Sequence, residues 1–65
     1  MKVIVQISDE KEYQFDKRMK VGNIIQELQL NPESVLVIKG NELLTSEDWV
    51  EKDEEIKIRG VISGG

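Results

Sequence analysis

The topology of this chain is decided by its last ten residues, 56–65, which read IKIRGVISGG. The isoleucines of this stretch alternate with Lys57, Arg59 and Val61, a pattern that predicts a final strand. Gly60 interrupts the inward apolar row, and we expect another segment to approach the backbone closely there. Because the strand is strongly apolar, we place it in the centre of a sheet.

A second apolar strand is predicted near the start of the chain. Its members are Val3, Ile4, Val5 and Ile7. The polar run 8–11 ends this strand. Tyr13 and Phe15 then alternate with polar residues and predict a partner strand, so the two strands form a hairpin.

The apolar period changes from two to about 3.6 after this hairpin. Apolar residues occupy positions i, i+3, i+4 and i+7 of an amphipathic helix: Val21, Ile24, Ile25 and Leu28. Lys20 stands where a Ser, Thr or Asp cap is usual. Pro32 disfavours helical geometry at the residue before it, and we therefore expect the helix to end by Leu30.

Two further strands follow the helix. Residues 35–38, VLVI, predict a third strand, residues 40–41, GN, a turn, and residues 43–44, LL, a short fourth strand. Residues 45–48, TSED, resemble a capping box and predict a turn of helix that carries Trp49 and Val50. We interpret Trp49 as a residue at the edge of the core.

The predicted order is strand, strand, helix, strand, short strand, strand. One amphipathic helix must cover one face of a mixed sheet of four to five strands, with the first and last strands parallel at its centre. This is the β-grasp arrangement, and the fold class is α+β. We expect one domain, residues 1–60, and a flexible C-terminal tail, residues 61–65, that leaves the sheet at its carboxyl edge.

Composition excludes several classes of function. A chain of 65 residues forms a thin core without a large pocket, and it contains neither histidine nor cysteine, so we expect no enzyme, bound cofactor or metal site. The charged run 51–55 is interpreted as a solvated loop. A net charge of −4 argues against nucleic-acid binding, and no apolar stretch could cross a membrane. We expect a cytoplasmic monomer.

The two final glycines point to chemistry at the terminus. Gly64 and Gly65 carry no Cβ, so this end can enter a channel too narrow for other residues. Residues 61–65 reach about 17 Å when extended. A partner could therefore bind the body of the protein and receive the Gly65 carboxylate in a deep site, reading Gly64, Ser63 and Ile62 on the way.

A β-grasp chain of this length that ends in VISGG resembles the ThiS/MoaD family of ubiquitin-like sulfur carriers over its whole length. Residues 61–65 and Trp49 resemble the thiamine-pathway branch. Residues 30–35 with Lys39 and Gly40 are similar to archaeal small modifier proteins of the same fold.

The resemblance implies a mechanism in which Gly65 is the site of thiocarboxylation. A ubiquitin-activating-like adenylating enzyme would use ATP and Mg²⁺ to adenylate the carboxylate, and a sulfurtransferase would then displace AMP and leave a thiocarboxylate. A sulfur-accepting synthase, such as thiazole synthase, would use that sulfur in thiamine, molybdopterin or thio-tRNA synthesis. In modifier relatives a target lysine attacks the activated glycine instead. A molybdopterin synthase subunit and a plain binding module are the remaining alternatives.

Strand parity predicts a docking surface for the adenylating enzyme. We expect one set of residues to face the helix: Val3, Val5, Leu36, Ile38, Ile56 and Ile58. The opposite face would then present an apolar patch edged by bases: Ile4, Val37, Lys57, Arg59 and Val61. On this parity, Val37→Asp should weaken binding to the adenylating enzyme without unfolding the domain.

Overall fold

The computed structural model describes residues 1–61. Its elements, in chain order, are β1 (Lys2–Gln6), β2 (Glu10–Gln14), β3 (Met19–Lys20), α1 (Val21–Glu27), a 3₁₀ turn (Pro32–Ser34), β4 (Val35–Lys39), β5 (Glu42–Leu44), β6 (Trp49–Val50) and β7 (Glu55–Gly60). Five of the strands form one mixed sheet in the order β2-β1-β7-β4-β5. Helix α1 covers one face of this sheet, and the architecture is the predicted α+β β-grasp.

The two most apolar strands lie in the middle of the sheet. β1 and β7 run parallel, with Val3 opposite Ile56 and Val5 opposite Ile58. All four side chains are buried. The predicted parallel pairing is therefore confirmed. It places the C-terminal ends of β1 and β7 at the same end of the sheet, where the chain continues beyond β7.

The core is formed where the helix packs on these strands. Val21, Ile24 and Ile25 are the buried residues of α1, as their spacing predicts. Burying an aliphatic side chain of this size contributes about 1.5–3 kcal/mol. Among residues 1–61 the buried side chains are all hydrophobic, so stability depends on close packing rather than on buried polar networks.

The helix begins and ends in ways that the sequence partly predicts. Lys20 precedes the helix with extended geometry and makes no side-chain cap. At the other end Gln29 has a left-handed φ of 58°. The N–H groups of Gln29 and Leu30 donate to Gln26 and Ile25, each at 3.0 Å, which forms a Schellman motif. The helix thus ends before Leu30, with glutamine in a position that usually holds glycine.

The predicted helical turn at Trp49 is wrong. Residues 45–48 form a turn in which the Asp48 carboxylate accepts the Thr45 N–H at 2.7 Å. The Asp48 N–H in turn donates to the Thr45 carbonyl at 3.1 Å. Trp49 and Val50 then pair with β3 as a small two-stranded sheet. This long-range pairing overrides the local capping signal because it buries Val50 completely.

The predicted parity of β4 is also wrong. Val35 and Val37 are buried, whereas Leu36 is exposed. In the register with β7, Val37 lies opposite Ile58 and Leu36 lies opposite Arg59. Four consecutive apolar residues contain no alternation, so only the pairing with β7 decides which of them face the helix.

Gly60 shows the close approach that its position predicts. A Cβ placed on Gly60 would lie 3.2 Å from the Cγ2 atom of Ile7. Ile7 follows β1 and has the same parity as Val3 and Val5. Its side chain therefore covers the last residue of β7 on the helix side of the sheet.

Candidate functional site

The chain leaves the sheet at the end of β7. Pairing with β1 ends at Arg59, opposite Gln6, whereas pairing with β4 continues to Gly60, opposite Val35. Val61 is 42% exposed. Ile62, Ser63, Gly64 and Gly65 lie outside the described residues, and the roles assigned to them stay predictions.

The sheet face opposite the helix carries the predicted docking surface in a corrected form. Strand pairing sets Ile4 beside Lys57, Lys57 beside Ile38, and Arg59 beside Leu36. Ile38 in turn pairs with Leu43 of β5. We call this surface the open-face patch, and it consists of Ile4, Leu36, Ile38, Leu43, Lys57 and Arg59.

Val37 does not belong to this patch. Its side chain is 4% exposed and packs in the core. The prediction that Val37→Asp would leave the fold intact is therefore wrong, since a carboxylate at this position would be buried without a partner. Sequence reasoning missed Leu36 and Leu43, which are 45% and 62% exposed, and it wrongly placed Ile38 on the helix side. The alternation in β7, carried across to β4 through the pairing register, is the signal that identifies Leu36.

The remaining predicted docking residues lie where parity placed them. Ile4 is half-buried, and Lys57 and Arg59 are exposed. Val61 has the same parity as these two bases and lies beside them at the end of β7. The three residues of this segment lie close together in the structure. Their binding to a partner stays a prediction.

Charge is unevenly distributed across the sheet. On the β2 side, Lys2 forms an ion pair with Glu12 at 3.8 Å, and the Gln6 amide donates to Glu10 at 2.9 Å. Within residues 1–61, Lys57 and Arg59 form no ion pair. The patch thus has two cations on β7 without an ion-pair partner among residues 1–61, beside the apolar side chains of β4 and β5.

An ion pair ties the end of β4 to the turn before β7. The Lys39 ammonium donates to Glu54 at 3.1 Å, and Glu54 also accepts the Glu51 N–H at 2.8 Å. The bond from the Glu51 N–H, and then the one from Lys39, lower the pKa of Glu54. The hydrogen bond to Glu54 raises the pKa of Lys39. This pair supports the start of β7 and lies away from the end that leads to the tail.

Trp49 lies outside the five-stranded sheet. Its indole is 43% exposed, and the Arg18 guanidinium lies 4.1 Å from the ring centroid. Arg18 also pairs with Glu51 at 2.8 Å. These contacts fit a residue at the edge of the core that fastens the β3–β6 pair. Trp49 is therefore a control position outside the sheet that carries the patch.

The described part of the chain shows no metal cluster and no membrane-spanning helix. Residues 1–61 contain no cluster of three or more side chains suited to holding a metal ion. Over the same range, no helix has the length and apolar character needed to cross a membrane. The cytoplasmic location and the monomeric state stay predictions.

Comparison with known proteins identifies a relative that matches the chain over its whole length. No protein-family model matches the sequence. The chain is 35% identical to the sulfur carrier protein TtuB of Thermus thermophilus over 65 residues. The match covers all of both chains.

Proposed function

This chain belongs to the ThiS/MoaD-like family of ubiquitin-like sulfur carrier proteins, and we propose that its working atom is the carboxyl carbon of Gly65. The observation that supports the proposal is the 35% identity to a sulfur carrier protein over the whole of both chains. The topology supports this proposal, because residues 61–65 directly follow β7, the central strand of the sheet.

The chemistry requires activation by a partner enzyme. A carboxylate is a poor acyl donor because its oxygen is a poor leaving group. A ubiquitin-activating-like adenylating enzyme would transfer AMP from ATP, with Mg²⁺, to the Gly65 carboxylate and release pyrophosphate. The outer sulfur of a sulfurtransferase persulfide then bonds to the carbonyl carbon as AMP leaves, and a thiol reductant cleaves the S–S bond of the resulting acyl disulfide to release the thiocarboxylate. The thiocarboxylate delivers sulfur to an accepting synthase, so the chain is a co-substrate rather than an enzyme.

The open-face patch is the proposed docking surface for the adenylating enzyme. Leu36, Ile38 and Leu43 supply apolar area, and Lys57 and Arg59 supply positive charge without an internal partner among residues 1–61. A partner of complementary chemistry has an apolar surface edged by carboxylates. Val61 continues this face toward the tail, so docking here aims Gly65 into the partner.

The proposal is tested by weighing the intact protein after incubation. The reaction contains ATP, Mg²⁺, the adenylating enzyme of the same organism and its sulfur donor. We expect a mass gain equal to the exchange of one oxygen for one sulfur. A chain lacking Gly64 and Gly65 is the matched control and should gain nothing. Unmodified protein, with the same enzyme preparation active on another carrier protein, would contradict the proposal.

The same experiment in cells separates the carrier from the modifier. Adducts of high mass that disappear when Gly64 and Gly65 are deleted would show conjugation through an isopeptide bond. The chain has seven lysines of its own, and self-conjugates would appear in the same assay. The choice among thiamine, molybdopterin and thio-tRNA synthesis depends on which synthase accepts the sulfur.

A further inference from the structure

The last hydrogen bond among the described residues holds Val61, the first residue after β7. The Val61 N–H donates to the carbonyl oxygen of Ser34, with an N···O distance of 2.8 Å. Pairing with β1 has already ended at Arg59. Beyond that residue, within residues 1–61, the backbone of the departing chain is therefore held from the β4 side.

The Ser34 carbonyl belongs to the 3₁₀ turn, which is stabilised by its own hydrogen bonds to Asn31. The Asn31 side-chain oxygen accepts the Glu33 N–H at 2.9 Å, and the Asn31 carbonyl accepts the Ser34 N–H at 2.9 Å. Pro32 begins the turn, where its fixed φ suits the geometry. The Asn31 carboxamide thus stabilises the turn whose last residue, Ser34, supplies the carbonyl that accepts from Val61.

A second contact restricts the chain at Gly60, the residue before Val61. Ile7 lies against Gly60, close enough that an added Cβ would be 3.2 Å from its Cγ2 atom. The residue before Val61 is therefore covered by Ile7 and paired with Val35. Together these contacts fix the direction of the chain at Val61. Four residues follow Val61 in the sequence, and a chain of that length spans at most about 14 Å.

We propose that Asn31 is a positioning residue, which acts through the Ser34 carbonyl and the Val61 N–H to set the direction in which the tail leaves the sheet. This inference rests on the proposed function, because the direction matters only if Gly65 must reach a reacting nucleotide. Correct placement of a reacting group contributes to the rate of the chemical step. Loss of the turn should therefore slow adenylation and leave docking on the open-face patch intact.

The first test measures amide exchange by NMR and needs no partner. In Asn31→Ala the Val61 amide should exchange about tenfold faster than in the wild type, because the turn that supplies its acceptor loses the Asn31 side-chain hydrogen bond. Asn31→Asp keeps the side-chain oxygen and should restore protection. The Ile58 amide, in the middle of β7, should be unchanged in both variants and reports on global stability. Equal Val61 exchange in Asn31→Ala and wild type would overturn the inference.

The second test measures ATP–pyrophosphate exchange by the adenylating enzyme of the same organism, with the carrier as the varied substrate. For Asn31→Ala we expect kcat to fall about three- to tenfold and KM to stay within about twofold, with Asn31→Asp close to wild type. Val61→Pro removes the donor N–H and should lower kcat to a similar extent.

The two possible failures are distinguishable. If the wild type supports pyrophosphate exchange and Asn31→Ala matches it in kcat, the positioning role fails and the carrier function stands. A rise in KM without a change in kcat would assign Asn31 to docking and would also overturn the inference. If the wild type supports no exchange, the proposed function fails, and the positioning role fails with it.

Discussion

Replacing Leu36 by alanine tests the corrected docking surface. Full burial of a leucine side chain contributes about 1.5–3 kcal/mol. Leu36 is 45% exposed in the free protein. Covering that exposed fraction in a complex contributes about 0.7–1.4 kcal/mol. Loss of this term should weaken the affinity for the adenylating enzyme by about three- to tenfold.

The neighbouring residue provides a matched control with the opposite expectation. Val37 is 4% exposed, and Val37→Ala removes packed methyl groups from the core. We expect a loss of about 2 kcal/mol in the free energy of unfolding. For a domain of this size the melting temperature should fall by about 8–16 °C. Leu36→Ala should shift it by less than about 4 °C.

The assay combines isothermal titration of the adenylating enzyme with thermal unfolding followed by circular dichroism. Titration is carried out well below the lower melting temperature, where both variants are folded. The reasoning predicts weaker binding without destabilisation for Leu36→Ala, and destabilisation with near-normal binding for Val37→Ala. The reverse pattern would refute the assigned parity, and unchanged affinity in Leu36→Ala would remove the patch from the docking site.

Three further predictions concern stability and pH. The pKa of Glu54 in the folded protein is lowered from its ordinary value of 4.5. As pH falls below 4.5, the unfolded state therefore binds more protons than the folded state, and the stability that this carboxylate contributes should be lost. Glu54→Gln should therefore flatten the dependence of melting temperature on pH in that acidic range, and an equally steep curve would contradict this role. Gln29→Gly should raise the free energy of unfolding by about 1 kcal/mol in urea titrations, since glycine adopts a left-handed φ without strain; a loss of stability would count against it. Trp49→Ala should lower the melting temperature and leave the affinity for the adenylating enzyme within about twofold of wild type, since Trp49 lies outside the sheet that carries the patch; a larger loss of affinity would make Trp49 a docking residue.

The central part of the fold follows from the sequence because its patterns are unambiguous. The alternation along residues 56–59 and the helical spacing of Val21, Ile24 and Ile25 predict which side chains are buried. A parallel pair of apolar strands with one covering helix leaves few alternatives for the topology. The terminal glycines add the chemical interpretation, which the strand pattern alone does not contain.

The parts that sequence reasoning missed depend on pairing between distant segments. Residues 35–38 are uniformly apolar, so their parity follows from the register with β7 and not from their own pattern. The β3–β6 pair joins Met19 to Val50, and neither strand of two residues has a periodic signal. The hold on Val61 likewise comes from a turn some 27 residues earlier in the chain, at Ser34. Each of these features is a long-range contact that local propensity does not specify.

The most direct test of the account is to locate the incorporated sulfur within the chain. After incubation with ATP, Mg²⁺, the adenylating enzyme and the sulfur donor, the C-terminal peptide is isolated and fragmented in a mass spectrometer. We predict that the mass gain lies entirely on Gly65, as expected for a thiocarboxylate that replaces one carboxyl oxygen. Sulfur found on any other residue, or a carrier that functions in cells without Gly64 and Gly65, would contradict the account.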